Sequence, residues 1–73
     1  MSSNVQAVLF ERASWTPRRA EYWLRDHGIG FVSKRITGKY YRYRVIEPNY
    51  AKYEYRILRM PDHDMAMIIQ YKK

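Results

Sequence analysis

Residues 16–28 read TPRRAEYWLRDHG, and this stretch decides what kind of fold the chain can adopt. The Thr16 hydroxyl can accept a hydrogen bond from an early helical amide. Pro17, at the first helical position, loses nothing by lacking an amide hydrogen. Ala20, Trp23, Leu24 and His27 follow at spacings that place them on one helical face. Gly28 can take the left-handed conformation that ends a helix. Trp15, just before the cap, is placed to staple against Ala20. A helix from Pro17 to His27 is expected, and outside it the pattern is that of strands.

On the N-terminal side, Val5 to Phe10 is an apolar run rich in strand formers and bounded by polar residues, which reads as a buried strand. On the C-terminal side, Ile29 to Ile36 alternates loosely, and Thr37, Gly38 and Lys39 supply a short hairpin turn. Tyr40 to Glu47 alternates strictly over its middle. Tyr41, Tyr43 and Val45 face one way, and Arg42, Arg44 and Ile46 face the other. Pro48 and Asn49 break that strand. Tyr53 to Met60 is another strand, Pro61 to Asp64 a turn, and Met65 to Tyr71 the last strand. The expected fold is α+β: one helix packed on a mainly antiparallel sheet of about five strands, in the order β-α-β-β-β-β. The helix lies across one face, with Trp23, Leu24 and Phe31 in the core, and leaves the other face to tyrosines and arginines. Residues 1–73 form a single domain, with 1–4 a loose tail.

A chain of 73 residues has room for one small core and none for two lobes with a cleft between them, the usual setting of an enzyme site. It has no cysteine, which excludes disulfides, thiol catalysis and cysteine-bound metals. No segment is long and apolar enough to span a bilayer. The N-terminus lacks the basic region and small-residue cleavage site of a secretory signal. The expected setting is the cytoplasm, the nucleus or an assembled particle, not the secreted space.

The unusual features are a formal charge of +7 and eight tyrosines. Lys34 to Arg59 contains eight basic residues and two acids, so 8 − 2 = +6 of that charge sits in the middle strands with six of the tyrosines. Cations neutralise phosphates and release counterions, and exposed rings stack on unpaired bases. The candidate nucleic-acid-binding residues are Lys34, Arg35, Lys39, Tyr40, Arg42, Arg44, Arg56 and Arg59. Alternation limits the set, because Tyr41 and Tyr43 cannot share a face with Arg42 and Arg44. The basic surface should centre on Arg42 and Arg44, with Arg56 beside them if the strands pair in that register and Tyr40 and Tyr50 supplying rings. The competing reading is an ordinary solvated sheet face, where tyrosine and arginine are common neighbours. Gly38 to Tyr43 loosely resembles the RNP1 segment of an RNA-recognition motif, but Glu47 to Tyr53 is too short for the second helix that fold needs.

Catalytic chemistry finds no constellation. His27 sits at the helix C-terminus, where a structural role is favoured. Asp62, His63 and Asp64 are adjacent in a turn and point in different directions, with no second cluster to complete a metal shell. Ser14 has no evident base, and no glycine-rich phosphate loop is present. The chain reads as a non-enzyme with no cofactor and no metal. Arg18 and Arg19 at the helix N-terminus would welcome an anion. Met60, Met65 and Met67 fill core gaps or form an apolar patch.

Taken whole, the pattern runs Val5 to Phe10, Trp15 and Thr16, Ala20, Trp23 and Leu24, His27 and Gly28, Tyr41 to Arg44, Glu47 and Pro48, then Tyr55 and Arg56. It resembles short proteins and modules of unassigned function from tailed bacteriophages and large double-stranded DNA viruses. The resemblance covers about Val5 to Ile69 and departs at the final hairpin, where Pro61 to Asp64 stand in place of a glycine-rich turn. It implies a viral origin and a small α+β fold, and it assigns no site residues. The expected partner is DNA or RNA, or else an acidic protein surface, without a membrane. In the second case the chain is a viral structural or interaction component, such as a virion accessory protein or an inhibitor of a host factor. A homodimer through a sheet edge is a further expectation.

Overall fold

The computed structural model describes residues 3–73, and its helix follows from the local signals. Helix α1 spans Pro17–Asp26, and the Thr16 hydroxyl accepts the Arg19 amide at 3.2 Å. His27 caps the other end, and Gly28 follows at φ +69°, where a side chain would be strained. Around it run β1 (Ser3–Glu11), β2 (Ser33–Ile36), β3 (Tyr40–Arg44), β4 (Tyr53–Met60) and β5 (Met65–Lys72). A one-turn 3-10 helix, Pro61–His63, joins the last two. The fold is α+β, with one helix on a five-stranded sheet of order β2-β3-β1-β5-β4, antiparallel at every pairing.

Strand parity sorts the side chains. Val8 lies opposite Tyr43 and Met67, and Phe10 opposite Tyr41 and Met65. These rows face α1, and Ala20 and Leu24 close over them to bury Val8, Phe10, Tyr43 and Met65. Phe10 is the hub. Trp15, Trp23 and Tyr43 all meet its ring edge-on, at centroid distances of 4.7, 5.8 and 5.7 Å, the arrangement that ring quadrupoles favour.

Several expectations are corrected in detail. The strand expected from Ile29 begins only at Ser33, and Phe31, expected in the core, is 38% exposed with its ring edge against Tyr43. The strand expected to reach Glu47 stops at Arg44, because the β1 bulge between Val5 and Ala7 captures the chain. The Gln6 carbonyl accepts both the Val45 and the Ile46 amides, and its side-chain amide donates to the Ile46 carbonyl at 2.8 Å. A bulge commonly ends or redirects pairing in this way. Of the expected tail, Ser3 and Asn4 belong to β1, and Met1 and Ser2 lie outside the described residues. Met65 is core, and Met60 and Met67 pack against it.

The turn at Asp62 to Asp64 has a structural job. Trp15 Nε1 donates to the His63 carbonyl at 2.8 Å, and the Ser14 hydroxyl donates to the Asp64 carboxylate at 2.7 Å. The β1–α1 loop is thereby tied to the turn before β5. Asp64 holds φ +54°, a left-handed conformation that aspartate tolerates better than most residues. His27 likewise acts locally, stacking on Trp23 with ring centroids 3.8 Å apart and bonding the Trp23 carbonyl through Nδ1.

Candidate nucleic-acid interface

The rows of opposite parity form the sheet face that α1 leaves open. Following the pairings across all five strands, one row reads Arg35, Arg42, Leu9, Ala66, Arg59. The next reads Ser33, Arg44, Ala7, Ile68, Ile57. Three arginines therefore gather over β2 and β3, and a fourth stands on β4. Strands lie about 4.8 Å apart, so Arg42 and Arg59 are separated by three intervals, roughly 14 Å. Between them lies a floor of small and aliphatic side chains, with Ala7 and Ala66 buried beneath their neighbours.

Arg35 and Arg42 are directly opposite one another, an arrangement of like charges that costs stability. Among the described residues neither makes an ion pair. Arg44 has only Glu47, at 3.5 Å, and its Nε is out of contact with water and has no hydrogen-bond partner. Together with Ser33 and Lys34, these three arginines line a shallow groove of about 280 Å³. Planar guanidinium forks around such a groove can engage phosphate oxygens in pairs.

The other candidates divide. Tyr40 is on the open face, opposite Glu11, and half-buried. Lys39 is exposed in the β2–β3 turn with its ammonium 5.6 Å from the Tyr40 ring centre. Arg59 is exposed at the far edge, away from the main cluster. Lys34 contributes to the lining of the groove, but its strand parity assigns its side chain to the other face. It lies opposite Tyr43 on the helix side and donates to Glu21 at 2.8 Å. That hydrogen bond holds the Glu21 carboxyl below its ordinary range, against the opposing effect of burial. Tyr43 Oη donates to the same carboxylate at 3.0 Å, and burial first, then this bond, pushes its phenol well above the usual tyrosine range.

Arg56 is the clearest correction. The expectation set it beside Arg42 and Arg44 if the strands paired in that register, but β1 and β5 separate its strand from β3 and its parity puts it on the helix side. There it pairs with Glu54 at 3.5 Å and sits 5.5 Å from the Tyr71 ring centre. Tyr50 is exposed in the β3–β4 connection, edge-on to Tyr55 at 5.1 Å. Tyr55 is itself committed: its hydroxyl accepts the Asn49 amide and donates to Gln70 at 2.8 Å.

Sequence reasoning passed over the floor itself and Lys72, which shares this face opposite Tyr53. Leu9 and Ile68 were hidden in runs whose two faces are both apolar, so alternation gave no contrast. In comparisons with known proteins, no family model, no curated protein and no solved structure shows significant similarity to the chain. Among the described residues no helix is long and apolar enough to cross a membrane, and no group of histidines and carboxylates could hold a metal ion.

Proposed function

We propose that this chain is a small basic, non-enzymatic module that binds nucleic acid through the open face of its sheet. The observation that carries the reading is the Arg35–Arg42 pair with Arg44 beside it: directly opposed cations, without carboxylates on the first two, on a face that no helix covers. Such an arrangement weakens the free protein and is relieved by a polyanion. Arg35, Arg42 and Arg44 contact one stretch of phosphates, and Arg59 contacts another across the apolar floor. Few free rings lie on this face, so affinity comes chiefly from phosphate contacts and discriminates weakly between sequences. The viral origin that the pattern's resemblance to short viral proteins implies is the support for proposing a role in a viral cycle, in host cytoplasm, nucleus or virion. A second reading, attachment to an acidic protein as a particle component, draws on the exposed Ile36, Ile57 and Leu58 at the sheet edges.

The test is a titration with labelled single- and double-stranded oligonucleotides at two salt concentrations. Arg42→Glu with Arg44→Glu should weaken binding to every sequence, whereas Arg56→Glu, on the same sheet but the other face, should have a much smaller effect. A loss from Arg56→Glu about half that of the double variant in free energy, in proportion to the charge changed, would show that face does not matter and that only net charge does. Affinity unchanged by the double substitution at low salt would overturn the assignment.

A further inference from the structure

The two edges of the sheet are unlike. Edge β2 has four residues, all exposed, two of them basic. Edge β4 has eight, contains no proline, and is paired without a bulge along its inner side. It exposes Ile57 and Leu58 by 58% and 52%, one on each face of the sheet. A long, regular, apolar edge of this kind is a template for another strand.

The direction of its free backbone groups can be read from one bond. The Lys73 amide donates to the Lys52 carbonyl at 3.3 Å, which makes Tyr53 and Lys72, paired between them, a non-hydrogen-bonded pair. Alternation then points the backbone groups of Glu54, Arg56, Leu58 and Met60 toward β5. Those of Tyr53, Tyr55, Ile57 and Arg59 point outward; the Tyr53 amide is taken by the Asn49 carbonyl at 3.0 Å, and no strand of the described chain receives the others.

We propose that β4 pairs with β4 of a second copy, antiparallel about a two-fold axis perpendicular to the sheet through Ile57, to make a continuous ten-stranded sheet. An axis in this orientation joins residues of like parity, so the register is limited to a few choices, of which two give the longest overlap. One places Arg56 opposite Arg56 of the second copy, a direct like-charge contact. The other places Ile57 opposite Ile57, Arg59 opposite the Tyr55 ring, and Arg56 opposite Leu58. Apolar meets apolar at the centre, each Arg59 faces an aromatic ring, and Glu54 remains beside Arg56 to offset its charge. The outward amides and carbonyls of Tyr55, Ile57 and Arg59 are then all used. The inference does not depend on nucleic acid, and it keeps the open faces of both copies on the same side.

The mass of one chain is 9.0 kDa, and sedimentation of the full chain without nucleic acid should give twice that in the micromolar range. Ile57→Lys, which sets two ammonium groups against each other at the axis, should return the mass to that of one chain with an unchanged circular-dichroism spectrum. Ile36→Lys on the other edge should leave the doubled mass intact. Because the chain has no cysteine, Ile57→Cys reports the register directly. Its Cα atoms would lie about 5.5 Å apart across the axis, within disulfide reach, and mild oxidation should link two chains. Arg59→Cys, offset by four residues along the strand, should not link. A single-chain mass for the unmodified protein overturns the proposal, as does a doubled mass that survives Ile57→Lys or that Ile57→Cys fails to trap.

Discussion

Arg35→Glu should do two opposite things, and the opposition is what makes it informative. In the free protein it replaces a cation directly across from Arg42 with an anion. Directly opposed charged pairs in an antiparallel sheet are worth roughly 0.2–1 kcal/mol, favourable for unlike signs and unfavourable for like. Removing one and adding the other swings stability by about 0.4–2 kcal/mol, and the exposure of Arg35 on an edge strand points to the lower half of that range. For a chain of this size 1 kcal/mol is worth about 4–8 °C, so thermal denaturation should show a melting temperature raised by about 2–10 °C. Nucleic-acid binding should move the other way. If Arg35, Arg42, Arg44 and Arg59 each neutralise one phosphate, the slope of log K against log salt is about −0.7 × 4, roughly −2.8, for a single strand. The variant should lose at least one contact, and the slope should shrink by about 0.7 or more. Added salt should itself stabilise the free protein by screening the Arg35–Arg42 repulsion, while it weakens the complex. A variant that loses stability, or one that gains it with affinity and salt slope unchanged, would refute the reasoning.

Two further outcomes concern the fold. Trp15→Phe keeps an aromatic ring against Phe10 but removes the bond to the His63 carbonyl; the expected loss is about 1 kcal/mol in urea denaturation, and no loss would mean that the tie between loop and turn is unimportant. Glu21 and Tyr43 together set a stability plateau in pH. The lowered Glu21 pKa contributes stability above its ordinary value of 4.5, lost as pH falls through the lower folded value. The raised Tyr43 pKa contributes stability below its ordinary value of 10.0, lost as pH climbs above that toward the folded one. Melting temperature against pH should therefore fall at both ends in the native chain, and Glu21→Gln should flatten the acid limb.

Local signals were legible in the residues, and long-range pairing was not. Thr16, Pro17 and Gly28 act within a turn of the chain, so the helix could be bounded to within a residue. Pro61 and Asp64 likewise bracket the end of β4 and the start of β5. The opposite parity of Tyr43 and Arg42 was also readable, because alternation within one strand needs no partner. Whether Arg56 stands beside Arg42 depends on strand order, which is set by β1 entering between β3 and β5; no short-range pattern carries that information. Lys34 is an intermediate case. The hairpin turn at Thr37 to Lys39 places Ile36 opposite Tyr41, and counting back puts Lys34 opposite Tyr43, on the core side. The turn held that answer, but the charge count alone grouped Lys34 with its basic neighbours.

The division of the basic residues between the two faces has a physical logic. A chain this small buries too little apolar surface to tolerate many unpaired charges near its core. On the helix side, Lys34 has Glu21 within 2.8 Å and the exposed Arg56 has Glu54 within 3.5 Å, so the two cations on the helix-facing rows of the strands come with carboxylates. On the open face that rule lapses: Arg35 and Arg42 oppose each other unpaired, and Glu11 and Glu47 are too few to match Arg35, Arg42, Arg44, Arg59 and Lys72. Had the surface been shaped only for stability, alternating signs across β2 and β3 would have improved it at no cost to the core. Carboxylates accompany Lys34 and Arg56 on the helix side but not Arg35 and Arg42 on the open one. Their absence opposite Arg42 is an uncompensated electrostatic cost in the free chain, and the proposal of a partner rich in negative charge rests on that cost.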